Sequence, residues 1–172
     1  MSFPFHHGIL GLNARNLLYI KPFNPRKAIA LADDKMKTKA FLAARGIPVA
    51  KVYARIASRK DLRSFDVASL PDTCVLKPNR GFGGEGILIL NGRRHGAFLE
   101  QGKNPLSEQR LREHIEDILD GKFSINGMPD TAFFEKILVA DPSFAPFRPA
   151  GLPDIRIVVF NLVPVMAMIR IP

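Results

Sequence analysis

Lys77 closes an apolar run, Cys74-Val-Leu-Lys77. Past Pro78 comes a loop holding four glycines, Asn79-Arg80-Gly81-Phe82-Gly83-Gly84-Glu85-Gly86. Glycine reaches positive φ without a steric penalty, so neighbouring amides can turn into one concave row, and such rows suit phosphate oxygens. Lys77 adds a full positive charge beside the row. Arg80 has two readings, contact with a terminal phosphate or simple exposure to water. A second apolar run, residues 87–90, leads away. These types at this spacing point to a grip on a nucleotide's polyphosphate tail. A ligand-free hairpin turn is the competing reading, but a tight turn needs fewer glycines.

Other phosphate loops fit less well. Gly81-x-Gly83-x-x-Gly86 matches the dinucleotide fingerprint letter by letter, but that motif must open a helix, and strand residues follow here. No Walker A pattern occurs. Protein kinases fold a strand–loop–strand over phosphates, yet their lysine follows the loop and comes with H-R-D and D-F-G, which this chain lacks.

The elements that must hold these residues are legible in part. A short helix is expected near Leu12–Tyr19. Asp33 is placed to cap a helix carrying Met36, Ala40 and Ala43 on one face, stopped by Gly46 and Pro48. Residues 49–56 alternate like a strand, and Ser58 to Asp61 reads as a capping box. Strands are expected at 72–77 and 87–90. Ser107 caps an amphipathic helix to about Asp120, with Leu111, Ile115, Ile118 and Leu119 facing the core. Residues 131–139 read as a strand and 142–153 as a proline-rich loop. Residues 154–160 and 163–171 read as a hairpin turning through Asn161-Leu162. Strand pairs close in sequence, mixed with helices, predict an α+β fold.

The chain has 172 residues, 47% of them apolar, enough for a packed core. Its net charge of +9 is uneven: residues 1–63 carry thirteen Lys/Arg against three Asp/Glu, and the remainder twelve against thirteen. That asymmetry suits an anionic partner or a merely solvated basic surface. The single cysteine, Cys74, excludes an internal disulfide and reads as a buried, inert thiol in a reducing compartment. No secretory leader is visible, and the most apolar segment, 157–169, is too short to span a bilayer. The expectation is a cytoplasmic protein without a membrane partner.

Four elements, in order, carry a resemblance. Asp34-Lys35 is followed by a helix and Gly46-Ile-Pro-Val49; Lys77 precedes the glycine loop; and Phe134-Glu135-Lys136-Ile137-Leu138 and Asp154-Ile-Arg156 come later. The pattern resembles the ATP-grasp superfamily, in particular its α-L-glutamate-ligase-like members, including the ribosomal-protein-modification and sugar-transfer-associated types, over roughly residues 30–172. The resemblance implies that Lys35, Lys77 and the loop (Asn79, Arg80, Gly81, Gly83, Gly84) hold the phosphates of ATP. It implies that Glu135 and Lys136-Ile137-Leu138 lie along the adenine, with Asp141 near the ribose or simply solvated. Arg156 would meet a carboxylate or the transferred phosphate. Implied domains are an N-terminal segment and opening helix (1–46), a lid with the glycine loop (47–135) and the start of a central sheet (136–172), with adenine between lid and sheet. The implied chemistry makes an acyl-phosphate from a carboxylate and ATP, which an amine attacks to give an amide.

Family members place two magnesium-binding carboxylates and an asparagine beyond the Asp-Ile-Arg strand, and this sequence stops at Pro172. The expectation is an incomplete ATP-grasp fold, with Mg²⁺ ligands outside the chain, no metal residues within it, and no turnover by the chain alone. The oligomeric state is left open. A catalytically silent ATP-binding regulator and a basic nucleic-acid-binding module are the alternatives. The second has the basic first third in its favour but no RNA- or DNA-reading motif. His6-His7 reads as surface. So do Arg59-Lys60, Arg93-Arg94 and Arg110-x-Arg112.

Overall fold

A computed structural model describes residues 10–101, 104–147 and 153–171. The His6-His7 pair lies outside the described residues. Two compact units emerge. One spans Leu31–Leu138; the other joins the described residues up to Ala30 with those from Val139 onward.

In the second unit a continuous helical stretch runs through α1 (Leu12–Ala14), a π-helical segment (Arg15–Ile20) and α2 (Lys21–Phe23), where a short helix was expected. After Pro25, α3 (Arg26–Ala32) carries the chain across into the larger unit. There, α4 (Lys35–Ala43) leads to β1 (Val52–Ile56), α5 (Arg59–Ser64), β2 (Thr73–Pro78), β3 (Leu88–Arg94), β4 (Ala97–Glu100), β5 (Asn104–Leu106), α6 (Glu108–Leu119) and β6 (Ala132–Glu135). Six strands form one antiparallel sheet in the order β1-β6-β2-β3-β4-β5.

Alternation along these strands divides the sheet into two faces. Cys74 and Leu76 of β2, Leu88 and Leu90 of β3, and Ala132 and Phe134 of β6 join Leu62 of α5 and Leu111, Ile115, Ile118 and Leu119 of α6 in one buried core. The four α6 residues are those that the helical periodicity predicts. Ser107 Oγ accepts the Arg110 amide and caps that helix as expected; such a cap is worth about 1 kcal/mol. Cys74 is fully buried, and burial pushes its thiol up to about 11, which leaves it inert.

Several expectations change. Asp34, not Asp33, caps α4, by accepting the Lys37 amide. The 131–139 strand is only Ala132–Glu135: the Lys136 amide still donates to the Lys51 carbonyl in register with the Val52–Glu135 pair, but among the described residues the amides after it find no ladder partner. Strands β4 and β5 were not foreseen. Arg93 and Arg112 are not plain surface. Arg93 donates to the Val67 and Leu70 carbonyls and stacks on Phe98; Arg112 donates to the Leu62 and Phe65 carbonyls. Both staple loops around α5 to the core.

In the second unit β7 (Asp154–Phe160) pairs with β8 (Val163–Arg170) through Asn161-Leu162, both at positive φ, as in a primed hairpin turn. Phe160 meets Tyr19 and Phe23 edge-on or tilted. Among the described residues of this unit none is buried.

Candidate functional site

The sheet face opposite the helical core carries the chemistry. Lys77 and Val75 of β2 and Phe133 and Glu135 of β6 point to it by strand parity. Lys77 stands opposite Phe133, and Val75 opposite Glu135. Lys77 and Glu135 are thus diagonal neighbours, a distance that a lysine spans. A one-residue slip of β2 would drive Lys77 into the apolar core, so burial of Cys74 and Leu76 fixes the lysine's direction.

Glu135 is only 3% exposed. Its Oε1 lies 2.6 Å from Lys77 Nζ, and its Oε2 lies 2.6 Å from Lys39 Nζ. The Lys39 ammonium is not aligned for a hydrogen bond to Oε2; it donates instead to the Ala50 carbonyl at 3.3 Å. A carboxylate this buried requires such pairing. Sequence reasoning missed Lys39. The signal was present: Lys39 follows Lys35 by four positions, one turn along the same helix face.

The start of α4 grips the loop. Lys35 Nζ donates to the Asn79 and Gly81 carbonyls at 3.2 and 2.9 Å, and the Met36 amide donates to Asn79 Oδ1 at 2.8 Å. The Arg80 amide donates to Asp130 Oδ2 at 2.7 Å, and the Arg80 guanidinium lies 3.9 Å from Asp34. Burial holds the Lys35 ammonium below the ordinary lysine range, and the nearby Lys77 charge adds to this against Asp130, Asp33 and Asp34. Burial alone would raise the Asp34 carboxyl. Hydrogen bonds from the Lys37 amide and the Asn79 side chain, with the Lys37 and Arg80 charges, outweigh burial and hold it below its usual value. Asp130 is the other residue the sequence did not single out.

The loop is fastened at both ends and open at its tip. Gly81 bridges to Ser124, and a Cβ on Gly81 would overlap the Pro78 ring. Gly86, at φ +71, rests on the Phe123 ring, 2.6 Å from where a Cβ would sit. Its carbonyl accepts from His114 Nε2 at 2.9 Å; a carbonyl can only accept, so that nitrogen carries the proton. Gly83 and Gly84, at φ +62 and +86, have open space around them. The strand–loop–strand reading, and the rejection of a helix after the loop, both hold.

Lys35, Lys77, Asn79–Gly84 and Glu135 therefore gather in one region of one unit. Lys136, Ile137 and Leu138 follow the end of β6 rather than extending it. Among the described residues the Ile137 and Leu138 amides have no hydrogen-bond partner, whereas the Lys136 amide is taken by Lys51. Asp141 and Arg156 belong to the other unit. Asp141 Oδ1 accepts from the Ser143 amide and hydroxyl at 2.9 and 2.6 Å, closing a local turn. Arg156 is exposed on β7, opposite Met168.

The sugar-transfer associated ATP-grasp family matches residues 14–172, and the chain belongs to that family. Neither the curated proteins nor the solved structures include a match. ATP-grasp proteins bind ATP and are of ligase type, and the α+β architecture agrees with the assignment. The tip of the glycine loop, at Gly83 and Gly84, is open rather than packed against other groups. Among the described residues no group of three His, Cys, Asp or Glu is placed to hold a metal ion. Among them, too, no helix is long and apolar enough to cross a membrane.

Proposed function

We propose that the Leu31–Leu138 unit binds ATP for a carboxylate–amine ligase reaction, in which the carboxylate is activated as an acyl-phosphate and an amine displaces the phosphate. The observation that carries this reading is the position of Lys77. It stands at the mouth of the glycine loop, paired with buried Glu135, while the Lys35 ammonium grips the same loop at the Gly81 carbonyl. In this reading Lys77, Arg80 and the amides of Gly83 and Gly84 receive the polyphosphate. Lys35 and Asn79 hold the loop in place. The free amides of Ile137 and Leu138 suit the edge of a purine, a role the engaged Lys136 amide cannot share. Glu135 works through its lysines.

ATP supplies the phosphoryl group when bound. The chain's own residues orient its tail and offset its charge, which is most of what phosphoryl transfer asks of a protein. The roles of Arg156 towards the carboxylate and of Asp141 towards the ribose rest on the family resemblance. A small or peptide-borne carboxylate is the proposed acceptor, and the glutamate-ligase comparison names one candidate class.

Lys77→Ala should weaken ATP binding by about 10- to 100-fold, the value of one charge-assisted phosphate contact. Calorimetric titration checks this. Unchanged affinity in a folded variant would remove the reading.

A further inference from the structure

We propose that Lys39 is a positioning residue for the nucleotide: by sharing Glu135 with Lys77, it leaves the buried triad with one net positive charge, so that Lys77 still attracts a polyphosphate. The inference rests on the reading of Lys77 as a phosphate lysine.

Glu135 needs a cation because it is buried, and Lys77 alone would satisfy that need. The resulting pair would be neutral, and its field at the loop mouth would largely cancel. A second ammonium at 2.6 Å, on the other carboxylate oxygen, restores the excess charge. The two lysines differ in exposure in the sense this division of labour requires. Lys39 is 19% exposed and Lys77 26%, so the more enclosed lysine faces the acid and the Ala50 carbonyl while the more open one borders the loop. Helix α4 fixes both contacts at once, since Lys35 grips the loop one turn before Lys39. A lysine needed only to fill space would have no bearing on charge, and the two roles give opposite results when Glu135 is neutralised.

The test titrates the full chain with ATP and, separately, with adenosine, which has the base and ribose but no phosphate. Lys39→Met and Lys39→Gln should each weaken ATP about tenfold, the scale of one charge about 10 Å from another at an effective dielectric of about 20, and leave adenosine unchanged. Lys39→Arg should match the wild type. Lys39→Met combined with Glu135→Gln should return ATP affinity to within about threefold of the wild type, because the excess charge is restored. Thermal unfolding reports whether each variant is folded. The proposal is overturned by a folded Lys39→Met or Lys39→Gln that binds ATP normally, by a double variant no better than the single, or by parallel losses for ATP and adenosine. Failure of both neutral variants to fold would assign Lys39 to stability and overturn it too. A wild type that binds no ATP would remove the phosphate reading of Lys77 itself, which distinguishes that failure from this one.

Discussion

Individual side chains around the loop do two jobs, and Asp34 shows both. It caps α4 through the Lys37 amide and faces the Arg80 guanidinium across the loop's start. Its carboxyl is held below the usual value. A depressed carboxyl stabilises the fold above the unfolded-chain value, near 3.9, and loses that contribution as pH falls through the lower folded value. Asp34→Asn keeps the shape and a capping oxygen but not the charge. It should therefore be less stable than the wild type at pH 7, and the gap should close in acid once both side chains are neutral. Urea unfolding at the two pH values checks this; a gap that persists in acid would show that shape, not charge, is the cause. At this scale the sequence was informative where a residue type has few alternatives. Lys77 before a glycine run, and Glu135 on a strand, could be singled out. Lys39 was marked only by its spacing from Lys35, and Asp130 not at all, because an acid before a strand looks like ordinary surface until the fold encloses it.

Among the elements, the β2–loop–β3 unit and α6 were readable because their signals are dense: a glycine cluster between apolar runs, and four apolar positions at helical spacing behind a serine cap. Strands β4 and β5 were not, being four and three residues long and flanked by turns at His95-Gly96 and Gln101. Strand β6 ended early for a reason no local pattern encodes: past Lys136 neither β1 nor β2 supplies a ladder partner. The loop glycines should separate by mutation. Gly84→Ala meets only backbone strain, about 1–2 kcal/mol at positive φ. Gly86→Ala adds an overlap with the Phe123 ring and should cost about 1–3 kcal/mol more. Denaturant unfolding of the two variants measures the difference, and equal losses would count against the packing of Gly86 on Phe123.

For the whole molecule, the uneven charge finds a partial explanation. Three lysines of the basic first third, Lys35, Lys37 and Lys39, sit on α4, and two of them contact the loop or the buried acid. The division into units was less legible than the elements, since no linker composition marks positions 30 or 138. Among the described residues, every member of the buried apolar core lies within Leu31–Leu138. Residues 31–138 expressed alone should therefore unfold in one cooperative transition and retain ATP binding, as a unit with its own core does. Broad, non-cooperative melting of that fragment would show that its core is insufficient.

The fastening of the glycine loop has a consequence for how fast a ligand can be captured. Its first residues are tied to α4, Asp130 and Ser124, its last glycine to Phe123 and His114, the Phe82 amide donates to the Phe123 carbonyl, and the Glu85 amide donates back to the Phe82 carbonyl. Fixing a residue's backbone costs about 1–2 kcal/mol, and here that ordering accompanies folding rather than capture. Under the proposed reading, an arriving phosphate meets a loop whose two ends are already fixed, with Gly83 and Gly84 open at its crest. Association should be governed by diffusion and charge steering, with little waiting for the chain to rearrange.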